Sequence, residues 1–354
     1  MLIDAHLDLA YNVVNLGRDL GVTVTEGRLR AAENSDNWRE NAGTLTTTFP
    51  EIRANAPAVV CGTIFILPHD ATTTLDGRSY HTPAEARDQA WEQMRWYHDM
   101  ADSGHCRLVT TRAQLDAVCD EAPPYGAPGV VMVMEGADGL TTPADLGEWY
   151  AAGLRWLGLS WQTTRYAGGT GFPGPLTPLG IALLGEMERV GVALDVSHLA
   201  EESFWQALAS YRGAVAASHS NCRALLGSTH ADRFLSDDML RALIERDGVI
   251  GLAMYNKMLV RGWGGRKATV TLDDVVRQIE HICGIAGNTL HVGIGSDLDG
   301  GFGLEAIPAE LDTWGDLAKI GDALRSAGWN ERDVSNVLHG NWRRWLRQAL
   351  AQKP

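Results

Sequence analysis

Short apolar runs recur along the chain and alternate with stretches of helical periodicity. The runs lie at residues 2–6, 58–67, 129–135, 155–161, 192–198, 213–220, 248–254 and 291–297. Most are β-branched or small residues without strict polar alternation, the pattern of strands buried on both faces. Between them the helices mark their own starts. Thr82, Pro83 and Glu85 supply an N-cap, a proline at the first helical position and the third member of a capping box. Thr142–Pro143 and Thr177–Pro178 repeat the device, and the second of these helices stops at Gly191. Ser236 caps a helix that ends at Gly248, and Thr271 opens another. Further helices are expected over 200–210, 309–327 and 330–351. Eightfold strand–helix alternation predicts an α/β fold: one (β/α)8 TIM barrel domain spanning 1–354. An open doubly wound sheet is the alternative. No G-x-G-x-x-G follows the first run, which weakens its nucleotide-binding version.

Two connections break the rhythm, at 22–57 and at 162–176, the second rich in glycine. Long loops in a compact domain are more often functional than idle. The basic, amphipathic end "RRWLRQALAQKP" is expected to be a last helix packed on the barrel.

Composition narrows the function classes. Hydrophobic residues make up 45% of 354, enough for a large core and against disorder. A formal charge of −14 disfavours nucleic acid, which wants a basic face. Cys61, Cys106, Cys119, Cys222 and Cys283 form no C-x-x-C pair and read as reduced thiols of a cytoplasmic protein. Asp4, His6 and Asp8 stand where a signal peptide needs a basic start and an apolar core. No run approaches the roughly 18–20 apolar residues of a membrane span.

The candidate chemistry begins in "LIDAHLDLA", where His6 and Asp8 are two residues apart. In a strand such residues share a face. They are either a hydrogen-bonded core pair or two ligands of one cation. Glu135 closes the third run, His198 the fifth, His219 lies in the sixth and Asp297 closes the eighth. Each alone has a plain explanation: a surface carboxylate, a helix cap, a satisfied core histidine, the N-cap of a turn. All six fall within a residue or two of a predicted strand end, and barrel active sites are built on that face. Imidazoles mixed with carboxylates, without a thiolate, suit zinc. The set can hold two ions with Glu135 bridging. Two such ions share a hydroxide, lower its pKa and polarise the bond attacked. Asp297 is then placed to take the proton of that water and return it to a leaving amine.

At these residues the chain resembles the membrane (renal) dipeptidase family of the amidohydrolase superfamily. The matching stretches are "DAHLDLA", "MEGADGL", "GPLTPLG", "LDVSHL", "SHSNCRAL", "GIGSDLDG", "GLEAIPAEL" and "NVLHGNWRR". They span nearly the whole chain in family order. The resemblance implies a zinc-dependent barrel of metal-dependent hydrolase type. It would hold two Zn2+ per chain and cleave dipeptides, often with a D-residue on the C-terminal side. It makes His6 and Asp8 ligands of one zinc, Glu135 the bridging ligand, and His198 and His219 ligands of the second. It makes Asp297 the proton shuttle. Arg233, in "HADRFLSDD", stands where the family grips the substrate's α-carboxylate, a task that suits a guanidinium fork. The plainer reading of Arg233 is a surface ion pair with Asp237. Tyr255, in "AMYN", is a candidate for lining the pocket.

One departure stands out. Many family members carry "LTH" after strand four, and that histidine contacts substrate; "LGLSWQ" puts Trp161 there instead. An indole offers an N–H but cannot be protonated. It either donates to the scissile carbonyl or walls the pocket. Trp161 therefore favours a second reading, a neighbouring hydrolase of another small amide or ester such as an N-acyl amino acid or lactone. A third reading, a non-catalytic metal-binding barrel, is disfavoured because all five ligands and Asp297 are present. The expected partners are a small-molecule dipeptide and a second copy in a twofold homodimer, with no nucleic acid and no membrane.

Overall fold

The computed structural model describes residues 1–33, 42–69, 75, 77–227 and 231–350. Its centre is a parallel sheet of β1 (Leu2–Leu7), β2 (Ala58–Phe65), β3 (Gly129–Glu135), β4 (Leu154–Gly158), β5 (Ala193–Asp195), β6 (Val215–Ala216), β7 (Ile250–Leu252) and β8 (Val292–Ile294). The strands are ordered β6-β5-β4-β3-β2-β1-β8-β7. The two ends of that order meet through one parallel bridge, Ala217 to Ile250. The sheet therefore wraps into a barrel, not an open doubly wound sheet, and its last joint is its thinnest. A short extra strand, Arg107–Leu108, pairs beside β3.

Several strands are shorter than their apolar runs, and the reason is local. His198 and Asp297 have φ of 66° and 57°. Left-handed residues cannot continue a ladder, so pairing stops before the polar strand ends. The helix caps behave as their residues dictate. Thr82, Thr177 and Ser236 accept the N–H of Glu85, Gly180 and Met239. Glu85 does not complete a box with Thr82; its carboxylate takes the N–H of His81 at 2.8 Å. Asp247, at φ 56°, and not Gly248, is the left-handed residue after the helix from Ser236. The expected 309–327 helix is a 3-10 turn, Trp314–Ala318, followed by Lys319–Ser326. The expected 330–351 helix is Glu331–Ser335, a π turn over Asn336–Gly340, and Asn341–Ala349; residue 351 lies outside the described residues. The 22–57 connection contains helices Val24–Glu33 and Phe49–Ala54, with 34–41 outside the described residues. The 162–176 connection folds as an antiparallel pair, Ala167–Gly169 with Phe172–Leu176. Among the described residues no helix is long and apolar enough to cross a membrane.

Inside the barrel, Ile3, Ala5, Val59, Cys61, Val131, Val133 and Trp156 pack with Trp342 and Trp345 of the last helix. Both indoles are anchored: Trp342 Nε1 donates to Ile294 O at 2.8 Å and Trp345 Nε1 to Val215 O at 3.0 Å. The opposite faces of the strands, with Leu2, Leu7, Val60 and Ile64, pack against the helical layer.

β1 changes parity along its length. Ile3 pairs with Val59 and Asp4 with Val60, but Leu7 pairs with Gly62, so β1 carries one extra residue. Ile3 and Ala5 point inward, whereas Leu7 belongs to the outer layer. A bulge of this kind re-aims the residues beyond it. His6 and Asp8 thus share a face, and the bulge makes that face the interior. Gly62 keeps the register tight. A Cβ there would lie 2.6 Å from Tyr97 Oη, and the Tyr97 hydroxyl donates to Thr63 O at 2.8 Å. Gly62→Ala is expected to cost about 1–3 kcal/mol by overpacking. A lowered urea midpoint at unchanged slope would show it.

Candidate metal centre and substrate cavity

The six polar strand-end residues converge. Glu135, on the inward face of β3 after Val131 and Val133, is the hub. Its Oε2 lies 3.4 Å from His6 Nε2; its Oε1 lies 3.1 Å from His198 Nε2 and 3.3 Å from His219 Nε2. Asp8 Oδ1 and Asp297 Oδ1 approach His6 Nε2 at 4.0 and 3.9 Å. Two triads of potential ligands result, His6–Asp8–Glu135 and Glu135–His198–His219, all five residues buried. Glu135 is common to both. The donor atoms suit a cation better than one another. His6 Nε2 is buried with no hydrogen-bond partner among the described residues. His198 Nε2 and His219 Nε2 lie 2.9 Å apart and face the same carboxylate oxygen.

Electrostatics point the same way. Burial lowers His198 to about 4 and His219 well below its usual value, with Arg233 and His6 adding to both. Neutral imidazoles are what a metal requires. For His6 burial acts downward too, but Glu135, then Asp8 and Asp297, carry it to about 10. Burial and the Glu135 charge push Asp8 up to about 6. Asp297 is raised by burial, and by Asp8 and Glu135 against the opposing pull of His6 and Arg233. Burial opposes ionisation of Glu135 as well, yet His6, His198 and His219 hold it well below the ordinary range. Carboxylates crowded this way call for positive charge between them.

A ring of hydroxyls supports the set. Thr63 Oγ1 donates to Asp8 Oδ1. Thr170 Oγ1 meets His198 Nδ1 at 2.9 Å. Ser218 Oγ lies 3.0 Å from His6 Nδ1 and 2.8 Å from His219 Nδ1. The sequence reading missed these residues and Asp195, which is buried beneath them. Their one signal is small: serine flanks His219 on both sides and Asp195 stands three residues before His198.

Above the carboxylates opens a cavity of about 320 Å3, walled by Tyr11, Phe65, Trp161, Tyr255 and Phe302. Trp161 meets Phe65 edge-on at 5.0 Å and lies 6.1 Å from the His198 ring. Tyr255 stacks flat on Phe302 at 4.4 Å. Arg233 also lines the cavity and is only 8% exposed, donating to Ser220 Oγ at 3.4 Å. The surface pair with Asp237 does not form; Asp237 Oδ1 is 2.8 Å from His281 Nε2. Arg233 follows the short stretch 228–230, which lies outside the described residues.

Comparison with known proteins adds an independent line. A family model described as membrane dipeptidase (peptidase family M19) matches residues 1–353. A Klebsiella pneumoniae protein described as an uncharacterized protein in the pqqA 5′ region is 31% identical over 282 residues, covering 76% of this chain and 99% of that one. Dipeptidase 3 of Mus musculus is 28% identical over 229 residues, 61% of this chain and 43% of its own length. The chain spans about half the length of that and several other curated relatives. Among solved structures, dipeptidase AC, a metallo peptidase of family M19, superposes with a TM-score of 0.77 at 25% identity over 99% of both chains. A Rhodobacter sphaeroides metallo peptidase, liganded with a phosphinate mimic of the dipeptide L-Ala-D-Ala, gives 0.77 at 24% identity over 98% and 99%. At that identity the second likeness is one of fold.

Proposed function

This chain belongs to the membrane dipeptidase family, peptidase family M19, and on that premise we propose that it is a binuclear zinc dipeptidase. One observation carries the reading: Glu135 turns one oxygen to His6 and the other to the His198–His219 pair. His6 and Asp8 would hold one ion, His198 and His219 the other, and Glu135 would serve both. The all-imidazole and carboxylate donor set favours zinc. When bound, two such ions lower the pKa of water and polarise the carbonyl under attack.

The chain's own residues do the rest. Asp297 receives the proton of the attacking water on its carboxylate and delivers it to the leaving amine nitrogen. Arg233 binds the α-carboxylate of the C-terminal residue through its fork of donors. The aromatic walls shed water from the bond being cut, and Trp161 offers its indole N–H where relatives place a histidine. Family membership supports tolerance of a D-residue on the C-terminal side. The second reading, hydrolysis of another small amide or ester, is favoured by Trp161 alone.

The test pairs metal analysis with a substrate panel of L-L, L-D and D-L dipeptides, N-acyl amino acids and lactones. About two zinc ions per chain with release of free amino acids from dipeptides is the expected result. Two ions with turnover of acyl amino acids or lactones only would replace the dipeptidase by its neighbour. A protein that takes up no metal after reconstitution would end both readings.

A further inference from the structure

His6 and His219 come from opposite sides of the barrel and, in the reading above, ligate different ions; the inference rests on that reading. Their rings nevertheless stack with centroids 3.6 Å apart, and both turn Nδ1 to the same atom, Ser218 Oγ, at 3.0 and 2.8 Å. An imidazole that offers Nε2 to a metal carries its proton on Nδ1. Two Nδ1–H groups then need acceptors at one buried place. A serine hydroxyl has two lone pairs and one proton. Accepting from both histidines uses both lone pairs, so the serine proton must leave toward a third group.

Asp195 is the carboxylate beside that serine. Its Oδ1 accepts the N–H of Ser197 and of Ser218, each at 3.0 Å, which fixes the backbone that carries the Ser218 hydroxyl. Ser197 Oγ, at 3.4 Å from Ser218 Oγ, is a second acceptor within reach. The same arrangement explains why His6, Asp195 and His219 form a third triad with ligand atoms within 4.8 Å. The Ser218 hydroxyl, bonded to both imidazoles, stands between their Nδ1 atoms where a cation would otherwise sit. We propose that Ser218, aligned by Asp195, is a positioning residue that fixes the tautomer of one imidazole from each metal set at once. The two ions are thereby bound as a coupled pair. Thr170 provides the internal contrast, because it supports His198 only.

The experiment is stepwise zinc removal from the full-length holoprotein by graded chelator, followed by atomic absorption of retained metal. Thermal melts of each variant check folding. Wild type is compared with Ser218→Ala, Asp195→Asn and Thr170→Val. Ser218→Ala is expected to weaken retention of both ions by about 10–100-fold, and Asp195→Asn to shift both in the same direction. Thr170→Val is expected to weaken one ion only. Loss of a single ion, or of neither, in folded Ser218→Ala would overturn the coupling while leaving the two-ion reading intact. Should Ser218→Ala fail to fold, Asp195→Asn decides by the same criterion. Wild type holding fewer than two ions would instead remove the premise.

Discussion

Asp297→Asn is expected to lower kcat by about 10²–10⁴-fold, the usual contribution of a positioned proton carrier, while zinc content stays at the wild-type level. The substitution isolates one property. Asp297 sits at φ 57°, and its backbone N–H donates to His6 O at 3.1 Å, tying the segment after β8 to the end of β1. Asparagine tolerates the left-handed region as aspartate does, so the backbone and the tie survive. The amide fills the same volume on the cavity floor but cannot accept and release a proton. Steady-state kinetics with parallel metal analysis separates the cases. A variant with more than a tenth of wild-type kcat would show that another group carries the proton. A variant that has lost zinc would make Asp297 a ligand first.

Arg233→Met is expected to reduce kcat/KM toward free dipeptides by about 10²–10³-fold, most of it in KM, as removal of one partner of a buried charge pair costs roughly 2–5 kcal/mol. The guanidinium is buried beside the cavity, and the one hydrogen bond it makes among the described residues, to Ser220 Oγ at 3.4 Å, is long. A planar cation with five donors and so little satisfaction has donors to spare for the anion that the proposed function brings to it. A dipeptide whose C-terminus is amidated provides the control. Wild type and variant should hydrolyse it at similar, low efficiency. An equal loss on acid and amide would mean that Arg233 shapes the cavity and does not read the carboxylate.

Much of this site was legible because a barrel concentrates its chemistry where strands end. An apolar run that stops on a histidine or carboxylate therefore marks both an element and a function, as at Glu135. What stayed hidden has physical causes. β1 is buried on both faces, so nothing in its pattern reveals the extra residue that turns His6 inward. Strand lengths were overestimated because composition cannot show that His198 and Asp297 leave the extended region. Asp195 and Ser218 belong to residue types common in turns, and only their meeting across β5 and β6 gives them a task. The burial of Arg233 likewise depends on how the stretch after 230 folds over the cavity, which the polar sequence around it, "HADRFLSDD", disguises as surface.

The thin joint of the barrel has a further meaning. β2 and β3 are laced together by seven successive residue pairs, from Val59–Gly129 to Phe65–Glu135, whereas β6 and β7 are joined by the single bridge Ala217–Ile250 and a bond from Ser220 N to Gly251 O at 2.7 Å. A cask with one weak seam is kept round by its hoop. His6 beyond the bulge of β1, Glu135 at the end of β3, and His198 and His219 past β5 and β6 lie around one rim, and whatever they jointly grip draws those staves together. Ligands that bind only the closed form lend it their binding free energy. On the proposed function, the donor set that holds the metal would also fasten the wall beside it, and each of its residues would answer to both demands.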